Sequence, residues 1–95
     1  MTVTNEPGLY KAGRHGIRIE NTMLVKCYCE SEFGSFYELE PLTLCPIDTI
    51  PVIPEILGAD AVDYLNSYNA MVCEVLSPYL DDEEREYLKE ITKPL

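Results

Sequence analysis

The sequence has little of what several classes of protein require. It contains seven Lys and Arg residues against seventeen Asp and Glu, and its formal net charge is −10. Nucleic acids and anionic membrane surfaces bind clustered basic side chains, so we expect neither a nucleic acid nor a membrane among its partners. No apolar run is long enough to span a bilayer, and the first residues lack a signal-peptide pattern. A cytoplasmic location is therefore expected.

Histidine and cysteine are also scarce. The one histidine, His15, lies between Gly13 and Gly16, and we interpret it as an exposed loop residue. The four cysteines are too few and too irregularly spaced for a disulfide framework, so we expect reduced, mostly buried thiols. Cys27 and Cys29 are predicted to share one face of a strand. Without a second pair of ligands, buried packing explains them better than a zinc site does.

What the chain does contain predicts an α+β fold, with short antiparallel strands first and two helices after them. Residues 1–45 carry the strand patterns. Pro7-Gly8 is a turn pair, and the apolar residues from Ile17 to Cys29 alternate with polar ones, as on a strand with one covered face. The segment 36–45 indicates a returning strand, in which Pro41 is typical of an edge or a bend.

Residues 46–95 begin with a proline-rich connector, which we predict to be extended and free of regular helix. Apolar residues then recur every three or four positions up to Ser77, where Pro78 is expected to end the helix. Asp81 and Glu84 have the spacing of a capping box, which predicts the start of a last helix. Three strands and two helices make a thin fold, which suggests that partner elements are missing.

Two carboxylates are candidates for metal ligands. Glu6 precedes Pro7-Gly8, and Glu20 lies on an alternating stretch in which Arg18 and Glu20 point away from the apolar face. A strand, a Pro-Gly turn and a second strand would bring the two carboxylates together. The pattern alone favours a solvated strand face with an exposed Arg–Glu pair. The alternative is a carboxylate ligand with Arg18 as its basic neighbour.

Several segments together resemble Xaa-Pro aminopeptidases, the pita-bread metallopeptidases related to prolidase and methionine aminopeptidase. The similar segments are, in chain order, Asn5–Tyr10, Gly16–Asn21, Leu39–Asp48, Tyr64–Asn69, Leu76–Pro78 and Thr92–Leu95. The resemblance covers essentially the whole chain. It implies that residues 1–45 are the end of a partial pita-bread catalytic domain and that residues 46–95 are its C-terminal extension. Asn69 stands where the family pattern has a histidine.

The resemblance implies that Glu6 binds one metal ion and that Glu20 bridges two, as the last two of five ligands. In the family the ions are usually manganese. They polarise the scissile carbonyl and supply the nucleophile that cleaves an N-terminal Xaa-Pro bond in a proline-containing peptide. The other ligands and the catalytic histidines would lie upstream of Met1. We therefore expect a C-terminal fragment with no catalytic residue of its own, which binds no metal alone and is inactive without the remainder of the catalytic domain.

Two other functions stay open on the sequence. The first is a free-standing interaction module without catalysis, which would use unpaired strand edges and apolar surfaces and would form a homo-oligomer. The second is a small metal site at Cys27 and Cys29.

Overall fold

The computed structural model describes all 95 residues and contains five strands and three α-helices. The elements, in chain order, are β1 (Thr2–Asn5), β2 (Gly8–Lys11), β3 (His15–Arg18), β4 (Asn21–Ser31), β5 (Gly34–Pro41), α1 (Pro54–Leu57), α2 (Ala59–Leu76) and α3 (Asp82–Ile91), with a 3₁₀ turn at Ser77–Tyr79 between α2 and α3. The chain divides into two compact units, Met1–Thr43 and Leu44–Leu95. The boundary predicted at residue 45 lies two residues beyond the observed one. The predicted α+β class, with antiparallel strands before helices, is confirmed.

The first four strands form one long antiparallel ribbon with a single register. β1 pairs with β4, and the last pair of this ladder is Asn5 opposite Asn21. β2 pairs with β3, and this ladder starts with Gly8 opposite Arg18. The numbering continues without a shift from one ladder to the next, so only a short gap in the pairing separates them. The main-chain N–H of Ile19 donates to the carbonyl oxygen of Pro7 at 3.4 Å, which spans part of that gap.

The chain reverses at residues 12–14 rather than at Pro7-Gly8. Arg14 N–H donates to the carbonyl of Lys11 at 3.0 Å, and Gly13 has a positive φ of 70° that suits such a turn. Pro7 has no N–H to give to a ladder, and it marks the gap between β1 and β2 instead of a turn. The single alternating strand predicted from Ile17 is therefore divided into β3 and β4.

β5 is an edge strand, as its proline predicted. The three-stranded sheet has the order β1-β4-β5, and a hairpin connects β4 to β5 through Glu32 and Phe33. The strand ends at Pro41 instead of continuing to Cys45. Leu42 N–H makes one more bond, to the carbonyl of Thr22 at 2.8 Å.

A β-bulge in β4 separates the two cysteines of this strand. Cys27 lies opposite Tyr37, whereas Cys29 lies opposite Phe36, so Tyr28 is the extra residue. Because Phe36 and Tyr37 are consecutive, they face opposite sides of the sheet, and so do Cys27 and Cys29. Both cysteines are exposed. The prediction of one shared, buried face was wrong, and this geometry also argues against a paired-thiol metal site.

Burial is uneven between the two units. Met23 is the only buried residue of Met1–Thr43, and three of the four free cysteines of the chain are exposed, contrary to the prediction of mostly buried thiols. The core of Leu44–Leu95 consists of helical residues and Thr92 just after α3. Its buried residues are Leu65, Tyr68, Asn69, Val72, Leu88 and Thr92. No helix combines the length and apolarity that crossing a bilayer requires.

The helix boundaries follow the predicted signals, with one addition. α2 ends at Leu76, before Pro78. Asp81 and Glu84 form the predicted capping box: Glu84 N–H donates to Asp81 Oδ1 at 2.8 Å, and Asp81 N–H donates to Glu84 Oε2 at 2.9 Å. The connector was predicted to contain no helix, which was wrong. Pro54 starts the single turn of α1, where its missing N–H costs nothing.

Side chains of α2 hold the extended connector. Asn69, only 1% exposed, accepts a hydrogen bond from Ile47 N–H at 2.9 Å and donates to the Ile47 carbonyl at 3.0 Å. Tyr68 donates its hydroxyl proton to the carbonyl of Cys45 at 2.8 Å. Asn69 therefore pairs with Ile47 as a neighbouring strand would, which explains why a polar side chain can be fully buried here.

Candidate metal-ligand site

The register of the ribbon places Glu6 opposite Glu20. Asn5 faces Asn21 on one side of this position, and the hydrogen bond between Pro7 and Ile19 lies on the other. Opposite residues of an antiparallel ribbon project from the same face, with Cβ atoms about 4.5–5.5 Å apart. The two candidate carboxylates are therefore brought together across the gap between the ladders, although the turn that does so differs from the predicted one.

Two neighbours orient the carboxylate of Glu6. Thr4 Oγ1 donates to Glu6 Oε1 at 3.0 Å, and Arg18 Nη1 donates to Glu6 Oε2 at 3.1 Å. Both partners of the ion pair are about half exposed, at 49% for Arg18 and 46% for Glu6. Such a pair contributes less than about 1 kcal/mol to stability, so its main effect is on orientation. The observed partner of Arg18 is thus Glu6, across the ribbon, rather than Glu20 beside it.

Glu20 differs from Glu6 in having no partner. It is exposed, it lies in the two-residue gap between β3 and β4, and its carboxylate makes no hydrogen bond or ion pair. One carboxylate of the pair is therefore fixed by its neighbours, whereas the other is free to bind a cation.

Sequence reasoning missed two residues of this face. Thr4 lies two positions before Glu6, so strand alternation places both on one side, and this spacing was a usable signal. Tyr10 lies across Gly8 and Gly16: a Cβ at Gly16 would be 2.5 Å from Tyr10 Cδ1. The lack of a side chain at Gly16 makes room for the ring of Tyr10, and no local sequence pattern predicts that contact.

The ligand set is small for a dinuclear centre. Nowhere in the 95 residues does a group of three or more His, Cys, Asp and Glu side chains come together in a way that could hold a metal ion. Glu6 and Glu20 have the carboxylate oxygens that hard divalent ions prefer. Each such ion takes about six ligands, so the two residues fit part of a dinuclear site and leave most positions to other groups.

Sequence comparison identifies the class of protein. Residues 35–95 match the family described as the C-terminal region of peptidase_M24, and the chain belongs to this family. This region includes β5 except for its first residue, Gly34, and all of the helical unit.

Individual relatives extend the similarity to the N-terminal strands. The chain is 37% identical to aminopeptidase P1 of Lotus japonicus over 99 residues, which covers 100% of this chain and 15% of that protein. It is 38% identical to a probable Xaa-Pro aminopeptidase P of Coprinopsis cinerea, with 100% and 16% covered. The chain thus spans about one sixth of the length of the curated relatives that it matches.

A solved structure shows the same fold. X-prolyl aminopeptidase from Caenorhabditis elegans, described as a cytosolic enzyme with a di-nuclear active site, superimposes with a TM-score of 0.86 at 31% sequence identity. The match covers 99% of this chain and 16% of that enzyme. The fold of this chain is therefore that of one part of an Xaa-Pro aminopeptidase, as the resemblance predicted.

Proposed function

We propose that Glu6 and Glu20 are two metal ligands of an Xaa-Pro aminopeptidase that contains two divalent ions. The observation that carries this proposal is their placement opposite one another on the ribbon, with Glu6 oriented by Thr4 and Arg18 and Glu20 left free. The similarity to an enzyme with a di-nuclear active site supports it.

Each carboxylate has a role that fits its surroundings. Glu6 is held through both oxygens, which suits a ligand that binds one ion in a fixed direction. Glu20 has no competing partner, so both of its oxygens would be available to hold metal. We propose manganese as the metal. The bound ions would supply Lewis-acid polarisation for the scissile carbonyl of an N-terminal Xaa-Pro bond and for a nucleophilic water. Thr4 and Arg18 act on Glu6 and not on the substrate. A cytoplasmic location is part of the same proposal.

The 95 residues on their own are expected to hydrolyse no peptide, because two carboxylates leave most of the coordination positions empty. The purified chain, incubated with manganese and a peptide that begins with Xaa-Pro, should release no amino acid above a blank without protein. The C. elegans enzyme, under the same conditions, is the positive control. Measurable turnover by the chain would contradict the proposal and would require ligands other than the two glutamates.

The rest of a catalytic domain is the partner that the N-terminal unit needs. Leu9, Ile17 and Ile19 project from one face of the ribbon and are 70%, 64% and 51% exposed. Pro7, Leu9, Ile17 and Ile19 line one open apolar depression of about 340 Å³. An exposed apolar patch of this kind is typical of a surface that another part of a protein covers.

The same exposure supports a second candidate, a non-catalytic interaction module that self-associates. Its sheet has an unpaired edge along β5, and almost nothing in Met1–Thr43 is buried. Light scattering on the purified chain distinguishes the two functions. A mass that rises with concentration is expected for the module, whereas a monomer mass that does not change with concentration would contradict it.

A further inference from the structure

We propose that the helical unit Leu44–Leu95 carries a docking groove for a short peptide segment with alternating apolar and basic side chains. This α3 groove runs between the connector and α3. It consists of two adjoining cavities of about 270 and 500 Å³, and both are lined by Pro46, Tyr87 and Ile91. It lies in a different unit from Glu6 and Glu20, so the proposal does not depend on the metal-ligand proposal.

The floor of the α3 groove is apolar and open to solvent. Ile50 contributes from the connector and is 92% exposed, and Tyr87 contributes from α3 and is 67% exposed. Tyr87 and Ile91 lie four residues apart on one side of α3, and Leu80, just before the helix, lines the same cavity. Large apolar side chains in a concave surface are the usual anchoring points for a bound peptide.

The rim of the α3 groove is acidic. Asp48, Glu83 and Glu84 line it, and no basic residue does. Asp48 already accepts from the main-chain N–H of Ile50 at 3.0 Å, and Glu84 accepts from Asp81 in the capping box. Glu83 makes no hydrogen bond or ion pair, so it is the carboxylate most available to a ligand.

The charge of the chain favours a basic peptide over a second copy of the chain as the occupant of the α3 groove. A second copy of the chain would bring another ten net negative charges to an acidic rim, which opposes self-association there. Basic side chains complement the rim, and apolar ones fill the floor. α3 has ten residues and is about 15 Å long, so about five residues of an extended segment cover it.

Binding is tested with a fluorescein-labelled peptide of eight residues that alternates leucine and lysine. We expect saturable binding to the full chain by fluorescence anisotropy, and we expect no binding of a peptide in which glutamate replaces lysine. Methyl NMR of the complex should show shifts at Ile50 and Ile91. Shifts at Ile17 and Ile19 instead would place the peptide on the sheet and overturn the proposal.

Matched variants separate the α3 groove from general attraction to an acidic protein. Glu83→Lys with Tyr87→Ser should weaken binding at least about tenfold. Glu74→Lys with Tyr64→Ser changes the same residue types on α2, outside the groove, and should weaken it less than about threefold. Equal losses in the two double variants would overturn the proposal. So would methyl shifts at Ile50 and Ile91 that depend on protein concentration without peptide, because they would identify a second copy as the occupant.

Discussion

Glu20→Gln is expected to lower peptidase activity by more than about a hundredfold in a chimeric enzyme. In the chimera this chain replaces the part of the C. elegans X-prolyl aminopeptidase with which it superimposes. Changes to residues that merely support a metal ligand already cost about 10–100-fold in affinity or activity. The loss of a carboxylate that itself would hold the metal should cost more. Elemental analysis of the purified chimera should show that both ions are depleted.

Substitutions at Glu6 and at its neighbours should lower the activity and the metal content of the same chimera by different amounts. Glu6→Gln should deplete mainly one ion. Thr4→Val, which removes the donor to Glu6 Oε1, should reduce activity by about 10–100-fold with most of the metal retained. Glu38→Gln is the matched control, because Glu38 is an exposed carboxylate on β5 with no ion pair. Two bound ions in Glu20→Gln, together with an active Glu38→Gln chimera, would show that Glu20 is not a ligand.

Local signals in the sequence predicted those parts of the fold that local chemistry determines. Pro78 after an apolar stripe and the pair Asp81 and Glu84 gave the end of α2 and the start of α3, because each acts within one helical turn. The sequence contains two turn signals, Pro7-Gly8 and the loop at Gly13, and local chemistry does not show which of them reverses the ribbon. Only the pairing of the two strands decides between them.

The faces of the strands were harder to predict than their existence. Alternation puts Cys27 and Cys29 on one side only if the strand is regular, and the bulge at Tyr28 depends on how β5 pairs with β4. Burial was overestimated for a different reason. A period of two identifies an apolar face, but it does not show whether another element covers that face, and Ile17 and Ile19 are 64% and 51% exposed.

The candidate site was partly accessible from the sequence. The residue types and the resemblance predicted Glu6 and Glu20 as candidates, whereas spacing alone could not show that they lie opposite one another. That relation depends on a register that continues across a gap from β1 to β2. The contact of Arg18 with Glu6 follows from the same register, because Gly8, two residues after Glu6, faces Arg18.

Asn69→Leu is expected to destabilise the helical unit by about 2–4 kcal/mol. The substitution keeps the number of side-chain heavy atoms but removes both hydrogen bonds to Ile47, whose N–H and carbonyl then lack partners. Each main-chain group left unsatisfied costs about 1–3 kcal/mol, and Ile47 is only half buried, so some water can compensate. Urea unfolding monitored by the helical circular dichroism signal measures the change.

Two further variants show whether the paired hydrogen bonds are the cause. Asn66→Ala removes one exposed bond, from Leu95 N–H at 2.9 Å, and should cost less than about 1.5 kcal/mol. The stability lost in Asn69→His should lie between the losses in Asn66→Ala and Asn69→Leu. An imidazole cannot present its acceptor and its donor side by side to one peptide group. Similar losses of unfolding free energy for Asn69→Leu and Asn66→Ala would show that packing, not pairing with Ile47, determines the stability.

Because Ile47 lines the α3 groove, detaching the connector should also weaken binding of the leucine–lysine peptide.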